Sequence, residues 1–227
     1  MIKKSSKIDY YVCSTPNKPI VYVLHGDNGD MLVDTGLDTT AGEIEKWLDE
    51  NNFNIKWIFL THGHFDHTYN TKFFKDKYGA KVLLHEYDLD LYYGIECPTL
   101  LPTSQRNINA ANMANQDARS VTVPLCAIDY PITENDTDLL KKLGFDAEIV
   151  MLHGHTAGSI GIKQGKVLYC GDACAAIGGD YFTSLFGSDL GALFRTEEKI
   201  FELNPLVIAP GHGKLIINEK AFPKKEN

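Results

Sequence analysis

The chain has 227 residues, of which 44% are hydrophobic and 23% charged, and its formal net charge is −8. This length and composition exclude a disordered chain and a small fold that depends on disulfides, because the chain can bury a core of its own. An acidic surface repels phosphate backbones, which argues against a nucleic-acid partner.

The same sequence gives no sign of export or of a membrane partner. No apolar run approaches the roughly 18 residues that a membrane span requires. The lysines near the N-terminus precede no apolar segment, so we expect no secretory signal. The five cysteines are odd in number and have no repeated spacing, which argues against a disulfide framework. We therefore predict a cytoplasmic protein without a membrane partner; the oligomeric state is left open.

The first half of the chain predicts a hairpin followed by helices and buried strands. The apolar runs Ile20–Leu24 and Met31–Val33 flank a segment rich in turn residues. Thr40–Glu43 has the pattern of a capping box and predicts the start of a helix. The short apolar runs Trp57–Leu60 and Val82–Leu84 are typical of buried strands.

The second half predicts more strands, after a segment of weak periodicity. Tyr92–Ser120 is interpreted as an irregular insertion, of the kind that often covers a site. The predicted later elements are the strands Glu148–Leu152, Ser159–Lys163, Lys166–Cys170 and Leu206–Ala209, and a helix over Thr196–Leu203. Hairpins with helices on outer faces favour a layered α/β sandwich, here as a single domain of residues 1–227.

The segment that follows the strand Trp57–Leu60 carries four candidate metal ligands, which are His62, His64, Asp66 and His67. Imidazole nitrogens and carboxylate oxygens suit Zn²⁺, Fe²⁺ or Mn²⁺. In extended backbone His62 and His64 share a face, whereas Asp66 and His67 lie where the chain turns into the next helix and can face a second metal. The alternative is a solvated polar loop, but three of only eight histidines occur in this short segment.

Three further candidates follow predicted strands and stand beside glycines: His155, Asp172 and His212. Strand ends that each carry a ligand-type residue describe one convergent site at one edge of a sheet. Glycines there let the backbone bend sharply and leave room for a substrate.

These motifs resemble those of the metallo-β-lactamase superfamily, in the family's order. The matching segments are Val33–Gly36, His62–His67, Gly154–Ser159, Gly171–Asp172 and Pro210–Gly213. The resemblance, closest to the glyoxalase II and lactonase branches, implies a four-layer αββα sandwich with two divalent metal ions, zinc by default and iron or manganese as alternatives. It implies that His62, His64 and His155 hold the first metal, that Asp66, His67 and His212 hold the second, and that Asp172 bridges both. Asp34 is implied to orient the metal-binding loop by hydrogen bonds.

The sequence departs from the family's pattern beside one motif, where His153 and Ala157 replace prolines. In extended backbone the side chains of His153 and His155 point to the same side, which makes His153 a candidate pocket residue. The alternative is that His153 holds the loop. Tyr181, in a glycine-rich stretch, is a second candidate for the pocket, against the alternative of a plain surface loop.

The function that the resemblance implies is hydrolysis of a small ester, thioester or lactone by a hydroxide activated by two metals. Asp66 would orient or deprotonate the water as the catalytic residue. Asp172 at the bridging position argues against a β-lactamase, where the family has Cys or Ser. The alternatives are a phosphodiester hydrolase of the same fold, a di-iron redox protein of the flavodiiron type and a metal-binding module without catalysis. Flavodiiron proteins typically have Glu at the position of His64, and non-catalytic relatives tend to lose ligands.

Overall fold

The computed structural model describes residues 8–177 and 180–217; within residues 176–183 only the backbone of the strands is considered. Its strands are β1 (Asp9–Val12), β2 (Ile20–Gly26), β3 (Gly29–Val33), β4 (Ile55–Phe59), β5 (Lys81–His85), β6 (Leu101–Pro102), β7 (Tyr130–Ile132), β8 (Glu148–Met151), β9 (Ile160–Gln164), β10 (Val167–Gly171), β11 (Cys174–Ile177), β12 (Asp180–Thr183), β13 (Phe186–Gly187), β14 (Val207–Pro210) and β15 (Ile216–Ile217). Its α-helices are α1 (Ala41–Glu50), α2 (Phe65–Thr68), α3 (Thr71–Tyr78), α4 (Leu89–Tyr92), α5 (Ile108–Ser120), α6 (Leu139–Lys142) and α7 (Leu190–Leu203). Short 3₁₀ turns lie at Asp38–Thr40, Glu86–Asp88 and Gln105–Asn107.

Two mixed sheets form the frame of the molecule. The larger has the strand order β1-β2-β3-β4-β5-β7 and the smaller has the order β15-β14-β10-β9-β8. Strands β3, β4, β5 and β7 run parallel to one another, as do β10 and β14. Strand β8 is antiparallel to β9, which is antiparallel to β10, so β8 and β10 point the same way. Parallel strands bring their carboxyl ends to one edge of a sheet, which is where ligands bind in open α/β sheets.

The alternation of side chains along β2 shows why the larger sheet is covered on both faces. Ile20, Tyr22 and Leu24 point into the core between the sheets. Val21 and Val23 point the opposite way, into a core that includes apolar residues of α1 and α3. Each buried aliphatic side chain of this kind contributes about 1.5–3 kcal/mol of transfer free energy. A strand that is apolar on both faces therefore lies between two layers.

The smaller sheet follows the same rule. Ile149 and Met151 of β8 pack into the core between the sheets, while Val150 and Leu152 pack with Ile200 of α7. Helices thus lie outside both sheets, and the four layers give the αββα sandwich that the sequence predicts.

The prediction of an irregular insertion over Tyr92–Ser120 is wrong for its second half, which is the 13-residue helix α5. Its alanines favour helix strongly, but they are small and give little apolar periodicity. The helix is fixed by buried Asn115, which accepts a hydrogen bond from the Leu100 N–H at 2.8 Å and donates one to its carbonyl at 2.9 Å. The periodicity of apolar residues cannot predict such a pairing between a side-chain amide and the backbone of a distant residue.

The predicted helix over Thr196–Leu203 is also too short, because α7 begins at Leu190. Asp189 caps it by accepting a hydrogen bond from the Ala192 N–H at 2.9 Å. Thr196 lies inside the helix and donates to the His153 carbonyl at 2.8 Å.

Candidate metal centre

The predicted ligands all follow strands whose carboxyl ends meet at one edge of the sandwich. Asp34 follows β3, the segment from His62 to His67 follows β4, and His155 follows β8. Asp172 follows β10 and His212 follows β14. The fold therefore brings side chains from five separate segments to one place.

The first group consists of His62, His64 and His155, which are 1%, 8% and 0% exposed. Their rings stand nearly perpendicular to one another, with centroids 4.8 Å apart in each pair. His64 Nδ1 lies 3.0 Å from His155 Nε2. One ring nitrogen of each residue lies within 4.8 Å of those of the other two.

The second group consists of Asp66, His67 and His212. His67 Nε2 lies 3.2 Å from His212 Nε2, which lies 3.3 Å from Asp66 Oδ2. Asp172 stands between the groups, with Oδ1 3.4 Å from His67 Nε2 and Oδ2 3.4 Å from His212 Nε2. Asp172 Oδ2 is also 3.7 Å from His155 Nε2. The carboxylate predicted to bridge thus contacts both groups.

Hydrogen bonds around His62 and His67 determine which ring nitrogen of each carries the proton. His67 Nδ1 lies 2.8 Å from Asp34 Oδ2, an acceptor, so Nδ1 carries the hydrogen. The Thr61 hydroxyl donates to Asp34 at 2.8 Å and can therefore only accept from His62 Nδ1, at 3.1 Å. In His62 this leaves Nε2 with its lone pair directed towards the centre. Burial acts to lower the pKa of His67, but Asp172, Asp34 and Asp66 outweigh it and raise that pKa well above its usual range, so a cation at His67 Nε2 has to displace a proton.

The same reasoning holds for His155 and His212. His155 Nδ1 donates to the Phe186 carbonyl at 3.1 Å, and His212 Nδ1 donates to the Asn17 carbonyl at 2.8 Å. Metal-binding histidines characteristically donate their other N–H to a carboxylate or a backbone carbonyl.

Lone pairs and carboxylates that face one another repel unless a cation or a proton lies between them. His62 Nε2 and Asp172 Oδ1 are buried and have no hydrogen-bond partner, which is costly for a polar atom. Imidazole nitrogens and carboxylate oxygens that already converge on one point form the donor set that divalent transition metals require. The residues present therefore fit metal binding.

The electrostatics of the two groups differ. Burial, followed by the neighbouring imidazoles, lowers the pKa of His62 well below its usual range, and burial with His155 lowers the pKa of His64 to about 3. Burial also acts to lower the pKa of His212, but Asp172 and Asp66 outweigh it and raise that pKa to about 10. Protons and cations compete for the second group, so its affinity for metal should depend on pH more steeply.

Asp34 lies where the sequence places it and is held in an unusual conformation. It is 3% exposed and has φ of +60°, in the left-handed region that few residues other than glycine adopt. Its carboxylate accepts hydrogen bonds from the Thr61 N–H and hydroxyl and from His67, so one side chain orients rings in both groups.

Asp88 is a buried residue that the sequence reasoning missed. Its Oδ2 accepts hydrogen bonds from the Gly63 N–H and the Thr156 hydroxyl, both at 2.7 Å, and its Oδ1 accepts one from the Gly158 N–H at 2.6 Å. Burial raises the pKa of Asp88, and these three hydrogen bonds oppose that effect. Asp88 thereby ties the loop of His62 and His64 to that of His155. Its one sequence signal is that it follows a buried strand, β5.

A cavity of about 550 Å³ opens beside Asp66, Asp172 and His212. Most other residues of its wall are small or apolar; they include Phe65, Leu100, Ala114, Ala118, Leu185 and Phe186. Helix α5 thus supplies part of the wall, as the idea of a covering insertion predicts. The candidate pocket residue Tyr181 lies outside the described side chains. His153 is placed elsewhere, with Nε2 2.8 Å from Glu134 Oε1.

A four-layer αββα sandwich with histidines and aspartates gathered at its strand ends defines a class of metal-dependent proteins. The chain matches the model of the metallo-beta-lactamase superfamily over residues 16–212 and belongs to that superfamily.

Curated relatives are hydrolases. The chain is 26% identical over 166 residues to hydroxyacylglutathione hydrolase 1 of Vibrio vulnificus, covering 71% of this chain and 51% of that protein. It is 29% identical over 182 residues to hydroxyacylglutathione hydrolase GloC of Haemophilus influenzae, covering 76% of this chain and 77% of that protein. The chain spans about half the length of the first curated relatives that it matches.

Solved structures share the fold. TTHA1623 in a di-iron-bound form superposes with a TM-score of 0.69 at 23% identity, covering 93% of this chain and 98% of that one. The B3 metallo-beta-lactamase BLEG-1 gives 0.65 at 22% identity, covering 92% and 93%. Within the described residues, no helix has the length and apolar character needed to cross a membrane.

Proposed function

We propose that the chain is a binuclear metal-dependent hydrolase of small thioesters, esters or lactones. The observation that carries the proposal is the convergence of seven donor side chains at one end of the cavity, with donor atoms of each close to those of the others. These side chains are His62, His64, Asp66, His67, His155, Asp172 and His212.

In this proposal His62, His64 and His155 hold one cation, and Asp66, His67 and His212 hold the other. Asp172 contacts both groups and is assigned as the shared ligand. Two divalent cations, zinc by default with iron or manganese as alternatives, would supply Lewis acidity towards a carbonyl oxygen and towards water.

Asp66 is assigned as the catalytic residue. Its carboxylate lines the cavity, where it contacts His212 at 3.3 Å and the Asn17 side-chain amide at 3.4 Å. In that position Asp66 orients the attacking water and accepts its proton. Asp34 contributes without contacting substrate, because it fixes the rings of His62 and His67.

The shape and chemistry of the cavity support a small acyl substrate. Its volume of about 550 Å³ is ordinary for a small-molecule site, and its wall away from the donors is mainly apolar. Thioesters come first among the substrates because the curated relatives are hydroxyacylglutathione hydrolases.

Charge argues against the phosphodiester alternative. Among the described residues of the cavity wall, one lysine, Lys18, stands against the carboxylates of Asp66, Asp117 and Asp172. A phosphodiester would gain little from this wall beyond what bound cations supply. The residue type at position 64 argues against the di-iron redox alternative, because flavodiiron proteins typically have glutamate where this chain has His64.

The test is a substrate panel with protein reconstituted separately with Zn²⁺, Fe²⁺ and Mn²⁺. Thioesters, lactones, phosphodiesters and a chromogenic β-lactam are offered to the wild type, to His62→Ala and to His25→Ala, which changes an exposed histidine of the first hairpin. We expect thioester or lactone turnover in the wild type and in His25→Ala, and its loss in His62→Ala. Turnover confined to β-lactams, or retained after complete removal of metal, would contradict the proposal.

A further inference from the structure

A second cluster of donor side chains lies outside the candidate metal centre. His85 is the last residue of β5, Glu134 follows β7, and His153 follows β8. One donor atom from each of the three lies within 4.8 Å of the other two. Because β5 and β7 belong to the larger sheet and β8 to the smaller one, the cluster joins the two sheets.

Glu134 stands between the two imidazoles. Its Oε1 lies 2.8 Å from His153 Nε2 and 3.7 Å from His85 Nε2. The two rings are 5.3 Å apart between centroids. Two ligands at about 2.1 Å from a tetrahedral cation are about 3.4 Å apart. To bind one cation, Glu134, which is 46% exposed, would have to shift, and the two imidazole nitrogens, which lie within 4.8 Å of each other, would have to approach.

Hydrogen bonding within the protein leaves this cluster unsatisfied. His85 is fully buried, and its Nε2 has no hydrogen-bond partner; the buried Nδ1 of His153 has none either. A buried polar atom without a partner costs about 1–3 kcal/mol, so a cation bound to His85 Nε2 would relieve the cost at that atom. Burial, followed by the nearby His153, lowers the pKa of His85 to about 4, and the ring is neutral and able to donate a lone pair at neutral pH.

We infer that His85, Glu134 and His153 bind a further divalent transition metal, separate from the two cations of the proposed function. Two imidazoles and one carboxylate suit Zn²⁺, Co²⁺ or Ni²⁺, whereas Mg²⁺ and Ca²⁺ prefer oxygen ligands alone. His153 is 26% exposed and Glu134 is more so, which gives the cation a path from solvent.

Binding at His85 Nε2 places the ring proton on Nδ1. That nitrogen accepts a hydrogen bond from the Tyr87 N–H at the long distance of 3.3 Å, and this contact would be given up. Tyr87 lies in the first turn of a short 3₁₀ helix and is exposed, so its N–H can bind water instead. The exchange gains a metal–nitrogen bond at Nε2; it gives up one weak hydrogen bond and leaves the Nδ1–H facing the Tyr87 N–H, so that a donor meets a donor.

A cation here would cross-link the sheets at the edge where His155 lies two residues beyond His153. It would hold that loop at a second point, in addition to the contacts of Thr156 and Gly158 with Asp88. Its expected effect is on stability and on the order of the loop, and no part in hydrolysis is assigned to it.

The test counts metal ions per chain by elemental analysis, after dialysis of the full chain against a zinc-buffered solution. The variants are Glu134→Gln and His153→Ala, with His25→Ala as the matched control. We expect each of the first two to hold one zinc ion fewer than the wild type, and His25→Ala to hold the same number. Zinc should also raise the melting temperature of the wild type more than that of Glu134→Gln.

The same comparison in a His212→Ala background separates this inference from the proposed function. His212→Ala alone should hold one zinc ion more than the double variant His212→Ala with Glu134→Gln. This difference should be the same whether or not the second donor group of the centre still binds an ion. An equal zinc count in the wild type and Glu134→Gln would overturn the inference. A loss in His153→Ala alone would also overturn it, since this outcome would show a disturbed His155 loop.

Discussion

Replacing Asp88 tests whether the hydrogen bonds between the two loops organise the candidate metal centre. The carboxylate receives the Gly63 N–H, the Gly158 N–H and the Thr156 hydroxyl. In Asp88→Asn the amide oxygen can keep the two donors on the Oδ2 side. The amide NH₂ then faces the Gly158 N–H, so a donor meets a donor.

The size of the effect follows from these bonds. A hydrogen bond to a charged group contributes about 1.5–3 kcal/mol, and a buried donor left without a partner costs about 1–3 kcal/mol. We expect Asp88→Asn to lower the free energy of unfolding by about 2–4 kcal/mol. For a chain of this size that corresponds to a fall of about 5–15 °C in melting temperature. Loss of such a supporting contact also typically lowers metal affinity 10–100-fold.

The assay combines thermal unfolding of metal-free protein, followed by circular dichroism, with zinc affinity measured by chelator competition. Asp90→Asn is the matched control, because Asp90 is an exposed carboxylate on the same segment. Stability within about 0.5 kcal/mol of the wild type, together with unchanged zinc affinity, would refute the idea that Asp88 organises the centre.

Three further predictions concern the shared carboxylate, a loop glycine and a surface ion pair. Asp172→Asn keeps the side chain's size but removes the charge shared by both donor groups. The metal content should fall by one ion per chain, and kcat should fall at least 100-fold, which corresponds to about 3 kcal/mol of activation free energy. The circular dichroism spectrum should be unchanged. Gly154 has φ of +126°, and a Cβ at this position would overlap the backbone nitrogen of Leu193. Gly154→Ala should therefore lower the free energy of unfolding, measured in urea, by about 1–3 kcal/mol or more. Burial acts to lower the pKa of His25, but Asp30 and Asp9 outweigh it and raise that pKa. The stabilisation from His25 is therefore complete below pH 6.5 and is lost as pH rises through the higher folded pKa. Wild type should exceed His25→Gln in stability by up to about 1 kcal/mol at pH 6 and by less at pH 9; a gap that grows with pH would contradict this sign.

Local patterns predict a layered α/β sandwich with ligand-type residues at strand ends, and the resemblance to the superfamily implies its four-layer αββα form. Apolar runs such as Trp57–Leu60 indicate buried strands, and residues that follow parallel strands necessarily meet at one edge. That argument brings Asp34 and His62 together, because β3 and β4 are parallel neighbours. His62 and His155 follow strands of different sheets, so their meeting depends also on how the two sheets pack. Their roles as ligands stay predictions until metal is measured.

Interactions between distant segments could not be predicted in this way. The capping-box pattern at Thr40–Glu43 is an example: Thr40 donates to the Leu37 carbonyl, and Glu43 instead accepts a hydrogen bond from the Ser14 N–H at 2.8 Å. The pairing of Asp88 with Gly63 and Gly158 is equally non-local. A short polar side chain has several partners of comparable energy, and the tertiary structure selects among them.

The separation of helix α5 from the donor residues has a consequence for how this protein could change over time. Every candidate ligand lies outside the stretch between Tyr92 and Cys126, whereas α5 within it forms part of the cavity wall. Mutations in that stretch can therefore alter the shape of the cavity while leaving the candidate ligands unchanged. Replacing this segment by that of a relative would change the cavity wall in one step. The replacement would have to include Asn115, because this residue anchors α5 to Leu100.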